Sequence, residues 1–259
     1  MKIGIMGTGN IAAFLLKSIN EEKQIKGTIT TVFGRNQEAG KGLAETYQTR
    51  FYPDFDSFIG SDIDIVVEAA AVEVAAAYSV PVLENGKDLI VSSVGAFADG
   101  GFLENVRETA KDHGRTVHLP SGAVGGLDLL KSANASGGLE KVMITTRKSP
   151  ASLGLEGVSE EKLMFDGPAG EAIGKFPKNV NVALALSLAG IGTEKTRVRV
   201  IADPSVERNT HSIEAEGSFG NMTATIGNLP MPGNPKTSYL AALSVLAALK
   251  NQGNPVVIG

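Results

Sequence analysis

Lys2-Ile3-Gly4-Ile5-Met6-Gly7-Thr8-Gly9-Asn10-Ile11-Ala12 is the stretch on which the fold turns. Lys2–Met6 is apolar and strand-like, and residues 10–20 carry apolar side chains at helical spacing. Between them stands the pattern G-x-G-x-x-A. Gly7 permits a tight turn, Gly9 lets backbone approach a pyrophosphate, and Ala12 keeps helix and strand close. The helix that follows aims unpaired N–H groups and the positive end of its dipole at the turn. A glycine pattern alone is weak evidence. This one directly follows a strand, opens a helix and sits in a strand–helix–strand unit of the right length. It therefore reads as a dinucleotide site, with Gly7, Gly9, Asn10 and Ile11 as contacts; S-adenosylmethionine is the alternative ligand for such a turn.

Outward from this turn, strand-like and helix-like segments alternate as stacked strand–helix–strand units should. Residues 28–33 read as a second strand and 36–47 as a helix. Residues 63–68 form a nearly continuous apolar run, which suits a parallel strand buried on both faces. A helix over 74–84, a strand over 88–92, a polar helix over 101–113 and a strand over 116–119 complete a doubly wound parallel sheet that ends near Pro120. At the tip of the second strand, Phe33-Gly34-Arg35-Asn36 offers no acid for the ribose 2′-hydroxyl of NAD. Arg35 can instead stack on adenine and pair with the 2′-phosphate of NADP, with Asn36 beside it; the alternative is a solvated arginine at a helix start. Glu68 either lines the ribose pocket or merely ends a strand.

After Pro120 the pattern changes. Residues 142–148, 196–203, 211–217 and 221–226 read as strands with partial alternation, joined by Gly, Asn and Pro turns. Helices are expected over 179–188, capped by Asn179, and over 238–250. The second part is thus an α+β domain with a mostly antiparallel sheet, one face covered by helix. The last helix is apolar all round, from Leu240 to Leu249, so it must be buried on most sides. The expected division is a dinucleotide-binding domain of residues 1–120 completed by 237–259, and a catalytic, substrate-binding and dimerisation domain of 121–236. The active site is expected in the cleft between them.

The composition narrows the function. A formal net charge of −4 over 259 residues lacks the basic face that nucleic acid requires. With no cysteine and only three histidines, thiol nucleophiles are excluded and no metal site is expected. No apolar run reaches the roughly 20 residues of a membrane span. The opening residues read as a strand entering a turn rather than a signal peptide, so a cytoplasmic location is expected.

Five further segments read together: Pro120-Ser121-Gly122-Ala123-Val124-Gly125-Gly126-Leu127-Asp128, Phe176-Pro177-Lys178-Asn179-Val180-Asn181-Val182-Ala183, Asp203-Pro204, Arg208-Asn209-Thr210-His211-Ser212-Ile213 and Asn234-Pro235-Lys236-Thr237-Ser238-Tyr239. With the N-terminal turn and Glu68-Ala69-Ala70, they resemble the L-aspartate dehydrogenase family in order and over nearly the whole chain. The resemblance implies NAD(P)-dependent, reversible oxidative deamination of L-aspartate to iminoaspartate. That product becomes oxaloacetate and ammonia unless it is consumed first in NAD synthesis. It implies a homodimer, a catalytic histidine at His211, and cofactor contacts at Ala123 and Asn181. The departure from the family is Gly34-Arg35, where an acid would secure NAD.

The residues support such chemistry in their own right. Deaminating an amino acid needs a base to deprotonate the ammonium and to activate water on the imine, and an imidazole with a pKa near 6.5 suits neutral pH. His113, at a helix end, and His118, on a strand before Pro120, read as structural. His211 opens a strand and shares a face with Ile213, Ala215 and Gly217; its alternative reading is a satisfied core histidine. A dicarboxylate needs cations or aligned N–H donors, for which Lys178, Arg208, Lys236 and the Ser121–Gly126 backbone are candidates; Asn179 is a further substrate candidate or only a helix cap. Two other classes compete: a two-domain dehydrogenase acting on homoserine or a polyol, with Lys178 as proton donor, and a non-catalytic dinucleotide sensor. The polar set Asn179, Asn181, Arg208, Asn209 and His211 argues against the sensor.

Overall fold

The computed structural model describes residues 1–176, 181–232 and 234–256. They form two compact units, one of Met1–Pro120 with residues 242–256, the other of Ser121–Ala241.

The first unit alternates β1 (Lys2–Met6), α1 (Asn10–Leu16), β2 (Thr28–Phe33), α2 (Gln37–Tyr47), β3 (Arg50–Tyr52), α3 (Phe55–Ile59), β4 (Ile65–Glu68), α4 (Val72–Glu84), β5 (Asp88–Val91), α5 (Gly100–Asp112) and β6 (Val117–His118). The sheet order is β3-β2-β1-β4-β5-β6, with every pairing parallel. Ile3, Ile5, Ile29, Val32, Val67 and Ile90 on the strands meet Ala12, Leu15 and Leu16 of α1 in one core. The expected first helix is two pieces: α1 passes into a wider π-helical turn over Lys17–Glu21. Two elements, β3 and α3, escape the sequence reading because each is shorter than a detectable period. Asp54 sets the start of α3 by accepting from the Ser57 N–H at 2.8 Å. The last helix, α9 (Tyr239–Asn251), lends Val245, Leu246 and Leu249 to the core of this unit.

The second unit contains α6 (Leu127–Ala133), β7 (Leu139–Lys148), β8 (Lys162–Pro168), α7 (Ala169–Lys175), α8 (Asn181–Ala189), β9 (Thr196–Ala202), β10 (Asn209–Gly217), β11 (Gly220–Asn228), β12 (Pro230–Met231) and β13 (Asn234–Ser238). Five strands make a sheet in the order β11-β10-β7-β9-β8, and the last two form a separate hairpin. Only β7 and β9 run parallel, so the sheet is mostly antiparallel. The sequence reading lacks β8, α6 and α7. In β8 the register slips between Leu163 and Phe165, and such a bulge breaks the alternation that marks a strand.

One face of this sheet is covered by helix. Val142 and Ile144 of β7, Val198 and Val200 of β9, and Ile213 and Ala215 of β10 pack in one core with Leu130 of α6, Ala172 of α7, and Ala183 and Leu186 of α8. Each fully buried aliphatic side chain contributes about 1.5–3 kcal/mol. That drive fixes which face of each strand points inward, because a slip by one residue would turn the whole apolar row outward.

Candidate active site

In the first unit the glycine turn opens onto a cavity of about 480 Å³. It is lined by Gly7, Thr8 and Gly9 of the turn, by Gly34, Arg35 and Asn36 after β2, and by Ala69–Ala71 with Glu73 beyond β4. Gly7 has φ of 126°, and a Cβ there would lie 2.5 Å from the Ala69 carbonyl oxygen, so no other residue fits. A Cβ on Gly9 would meet nothing within 4 Å. No contact among the described residues therefore requires glycine at this position, which lines the cavity. It is also the N-cap of α1, and no side chain accepts from the first N–H groups of that helix. Open space beside Gly9 and uncapped donors at the start of α1 together fit the pyrophosphate of a dinucleotide. Phe33 and Tyr78 wall the cavity, their rings edge to face at 5.4 Å, with Phe55 of α3 stacked on Tyr78 at 4.5 Å.

The two residues at the tip of β2 differ in availability. Asn36 caps α2, its Oδ1 accepting from the Ala39 N–H at 3.1 Å. Arg35 is exposed on the cavity rim. Asn10 and Ile11 do not line this cavity; Asn10 is exposed at the start of α1, and the Ile11 side chain packs against the core. Glu68, left open by the sequence, is fully buried beneath the cavity wall. It accepts from the Ala70 N–H at 2.7 Å, and from the Ser93 N–H and hydroxyl at 2.9 Å each. Burial pushes its carboxyl above the usual range, against the pull of those hydrogen bonds. It ties the loop after β4 to the loop after β5.

In the second unit the polar site stands where the apolar sheet face ends. Along β7 the inward row runs Val142, Ile144, Thr146, Lys148; along β10 it runs His211, Ile213, Ala215. The row is apolar until its last members. His211 pairs with Thr146 across the strands, only 5% exposed, its Nδ1 2.9 Å from the Thr146 hydroxyl. Burial, then the charge of Lys148, lowers the imidazole pKa to about 4. This corrects the expectation of a value near 6.5: the ring is neutral throughout the physiological range. Burial also lowers the Lys148 ammonium from its ordinary value.

Other candidates collect at this end of the sheet. Asn228, at the end of β11 opposite Asn209, donates from Nδ2 to the Ala123 carbonyl at 3.0 Å and accepts from the Ser238 hydroxyl at 2.6 Å. It thereby binds the Ser121–Gly126 turn, in which Gly122 and Gly126 have positive φ, to the His211 end. Ser121 is partly buried within that turn. Asn181 begins α8 beside Val182 and Ala183, which line a small cavity with Thr146 and Lys148. Arg208 is exposed just before β10. Asp203 accepts from the Ser205 N–H at 2.9 Å and pairs with Arg147 at 3.0 Å, fixing the turn that leads to it. Lys178 and Asn179 lie outside the described residues, as does the Lys236 side chain. His113 ends α5, and His118 Nε2 lies 3.0 Å from the Gln252 side chain. Among the described residues no acidic or histidine cluster suits a metal, and no helix is long and apolar enough to cross a membrane.

Sequence reasoning missed Thr146, Lys148 and Asn228. Strand parity is the signal that could have found the first two, since both share the inward side with Val142 and Ile144.

A doubly wound sheet whose glycine turn and uncapped helix start fit a dinucleotide's phosphates, joined in sequence to a mixed sheet bearing a buried neutral histidine, is the build of a nicotinamide-dependent oxidoreductase. Residues 7–120 match the family model described as "Homoserine dehydrogenase, NAD binding domain", and residues 128–252 the one described as "Aspartate dehydrogenase, C-terminal". The chain belongs to the L-aspartate dehydrogenase family. It is 42% identical to the L-aspartate dehydrogenase of Methanospirillum hungatei over 259 residues, covering 100% of this chain and 99% of that one. It is 42% identical to that of Methanosarcina mazei over 273 residues, with the same coverage. The solved aspartate dehydrogenase of Thermotoga maritima superposes with a TM-score of 0.81 at 31% identity, covering 100% of this chain and 99% of that one.

Proposed function

We propose that this enzyme oxidises L-aspartate to iminoaspartate with NAD+ or NADP+, His211 serving as the base. The observation that carries the reading is the buried, neutral His211 held through Nδ1 by Thr146. When bound, the oxidised nicotinamide accepts the hydride that leaves the substrate Cα. With Nδ1–H donating to Thr146, Nε2 carries the free lone pair. That atom takes a proton from the substrate ammonium, leaving an amine whose nitrogen electrons form the C=N bond as the hydride departs. Once that proton has passed to solvent, Nε2 removes a proton from the water that adds to the C=N carbon and returns it to the nitrogen, so that collapse of the carbinolamine releases oxaloacetate and ammonia. Gly7 and Gly9 make room for the cofactor, with Asn10 and Ile11 at the helix start, Arg35 and Asn36 at the adenosine ribose, and Ala123 and Asn181 as further contacts. Ser121, Lys178, Asn179 and Arg208 are the proposed substrate contacts.

The same reading assigns residues 1–120 with 237–259 to the dinucleotide and residues 121–236 to catalysis and dimerisation, in a cytoplasmic homodimer. Its product feeds NAD synthesis or aspartate metabolism. The test is absorbance of the reduced nicotinamide with L-aspartate, D-aspartate, L-glutamate and L-alanine. L-aspartate should be oxidised far better than the others. One methylene is worth only about 1–3 kcal/mol in a pocket, so strong rejection of L-glutamate requires both carboxylates to be held. Equal kcat/KM for L-glutamate would overturn the substrate.

A further inference from the structure

The edges of the two sheets are not built alike. An edge strand leaves a row of backbone N–H and C=O groups unpaired, and proteins blunt such edges with brevity, charge, proline or a bulge. In the first unit the edges are β3, three residues long and begun by Arg50, and β6, two residues long. In the second unit β8 carries Lys162 and Asp166, slips register between Leu163 and Phe165 and ends in Pro168. β11 has none of these devices. Its nine residues pair with β10 without a break and include no charged side chain and no proline. Among the described residues no strand lies on its other side. Gly220, Asn221, Thr223, Thr225 and Gly227 are exposed.

The same strand is complementary to itself when reversed. In antiparallel pairing about a twofold axis at Ala224, Thr223 falls opposite Thr225 of the partner subunit, and Met222 opposite Ile226 of the partner subunit. Thr–Thr pairs are favourable across strands, and Met222 and Ile226 both back onto the apolar core. No charge meets its like along this line. Glu214 and Glu216 stand one strand back on β10, Glu216 paired with Lys141 at 3.0 Å. Antiparallel alternation turns the N–H and C=O of every second residue toward the open side, so each copy supplies the ladder that the other lacks. The two ends of the strand agree with this register. Phe219 at the hairpin tip is 43% exposed, and Leu229 just beyond β11 is 54% exposed. About the same axis Phe219 falls opposite Leu229 of the partner subunit, so two exposed apolar side chains cover each other at each end of the seam.

We infer that β11 is the seam of a twofold dimer: a second copy of this chain adds its own β11 antiparallel about Ala224, and two five-stranded sheets become one of ten strands. The inference rests on the proposed homodimer and names its contact. A twofold seam is closed, because it consumes the open edge of both copies at once. The outer edges of the joined sheet are then the two β8 strands, which are already blunted.

The chain has no cysteine, so single replacements report the seam directly. Opposed Cα atoms of antiparallel strands stand about 4.5–5.5 Å apart, within the reach of a disulfide. Ala224→Cys should therefore cross-link to itself on mild oxidation and run as a covalent dimer in non-reducing electrophoresis. Phe219→Cys and Leu229→Cys should each stay uncross-linked alone and cross-link once mixed and allowed to exchange, since each position faces the other across the axis. Sedimentation supplies the second readout. The wild type should sediment at twice the 26.9 kDa of one chain. Thr223→Lys/Thr225→Lys and Thr223→Asp/Thr225→Asp should each sediment as monomers, because like charges then stand opposed, and their mixture should recover the dimer. A wild type that is monomeric at micromolar concentration removes the homodimer and the seam together. A wild-type dimer in which Ala224→Cys does not cross-link keeps the homodimer and overturns the seam, as do dimers that persist in both charged variants. If the charged variants do not fold, judged by their melting temperatures, the cysteine pattern decides alone.

Discussion

The dinucleotide turn and the His211 end of the second sheet are built from different materials. At the turn the work is done by backbone and by missing side chains: the Ala69 carbonyl lies against Gly7, and a Cβ on Gly9 would meet nothing within 4 Å. At the sheet end the work is done by side chains set on a rigid ladder, Thr146 opposite His211 and Lys148 next along. A backbone site tolerates changes around it and fails when a Cβ is added. A side-chain site keeps its shape when a residue is truncated and fails in its chemistry.

The largest expected effect tests that contrast directly. His211→Ala should lower kcat by roughly 100- to 10,000-fold, the range for removing a general base, and leave the dinucleotide Kd close to wild type. Stopped-flow reduction with saturating L-aspartate, beside a fluorescence titration with the reduced cofactor, separates the two quantities. A collapsed melting temperature with no loss of kcat in the surviving fraction would make His211 only a packed core residue.

The next effect is on stability. His211 has a pKa of about 4 in the fold, against about 6.5 in the unfolded chain. Between those values the unfolded chain binds the proton and the fold does not. The stability it contributes is therefore complete above about pH 6.5 and is lost as pH falls toward 4. The gap, 6.5 minus 4 at about 1.4 kcal/mol per unit, amounts to about 3 to 4 kcal/mol. Urea midpoints at pH 7.5 and pH 5 should diverge in the wild type and much less in His211→Gln. Equal divergence in both proteins would place the proton elsewhere.

The same contrast explains what the sequence disclosed. The glycine turn needs only neighbours in the chain, so residues 2–12 reveal it, and the buried runs of β4 and β5 reveal the parallel sheet around it. The partners of His211 lie far off in sequence: Thr146 is 65 residues away, and the Asn228–Ala123 bond spans 105. Their meeting depends on strand register, which local periodicity does not encode. His211 itself was legible as one residue among three candidates, its depressed pKa was not, because desolvation belongs to the packed sheet and helices.

A smaller effect separates the two glycines. Gly7→Ala forces a Cβ against backbone in a conformation that L residues avoid, and should cost about 1–3 kcal/mol of stability. Gly9→Ala meets open space and has an extended N-cap backbone, φ −89° and ψ −169°. It should leave the melting temperature unchanged while weakening dinucleotide binding. If both variants melt early with unaltered affinity, Gly9 is not a cofactor glycine.

The smallest effect concerns cofactor choice, where the family pattern and this chain part company. A side chain at position 34 would set its Cβ 2.8 Å from Thr8 Cγ2, so any residue other than glycine there needs the Thr8 methyl to turn aside. Asn36 Oδ1 is committed to capping α2. The guanidinium of Arg35 is the positive group at the cavity rim. A charge-assisted hydrogen bond contributes about 1.5–3 kcal/mol, and screening of an exposed pair holds it to the lower end, about tenfold in affinity. NADP+ should therefore be used at least as well as NAD+, and Arg35→Ala should raise KM for NADP+ about tenfold with little change for NAD+. Arg35→Asp should abolish NADP+ use, since repulsion is added to the lost contact. Rising salt should weaken NADP+ binding faster than NAD+ binding. The opposing element is Glu73, a carboxylate that lines the same cavity. A tenfold or greater preference for NAD+ in the wild type, abolished in Glu73→Gln and untouched in Arg35→Ala, would assign the ribose hydroxyl to Glu73 and leave Arg35 a solvated residue.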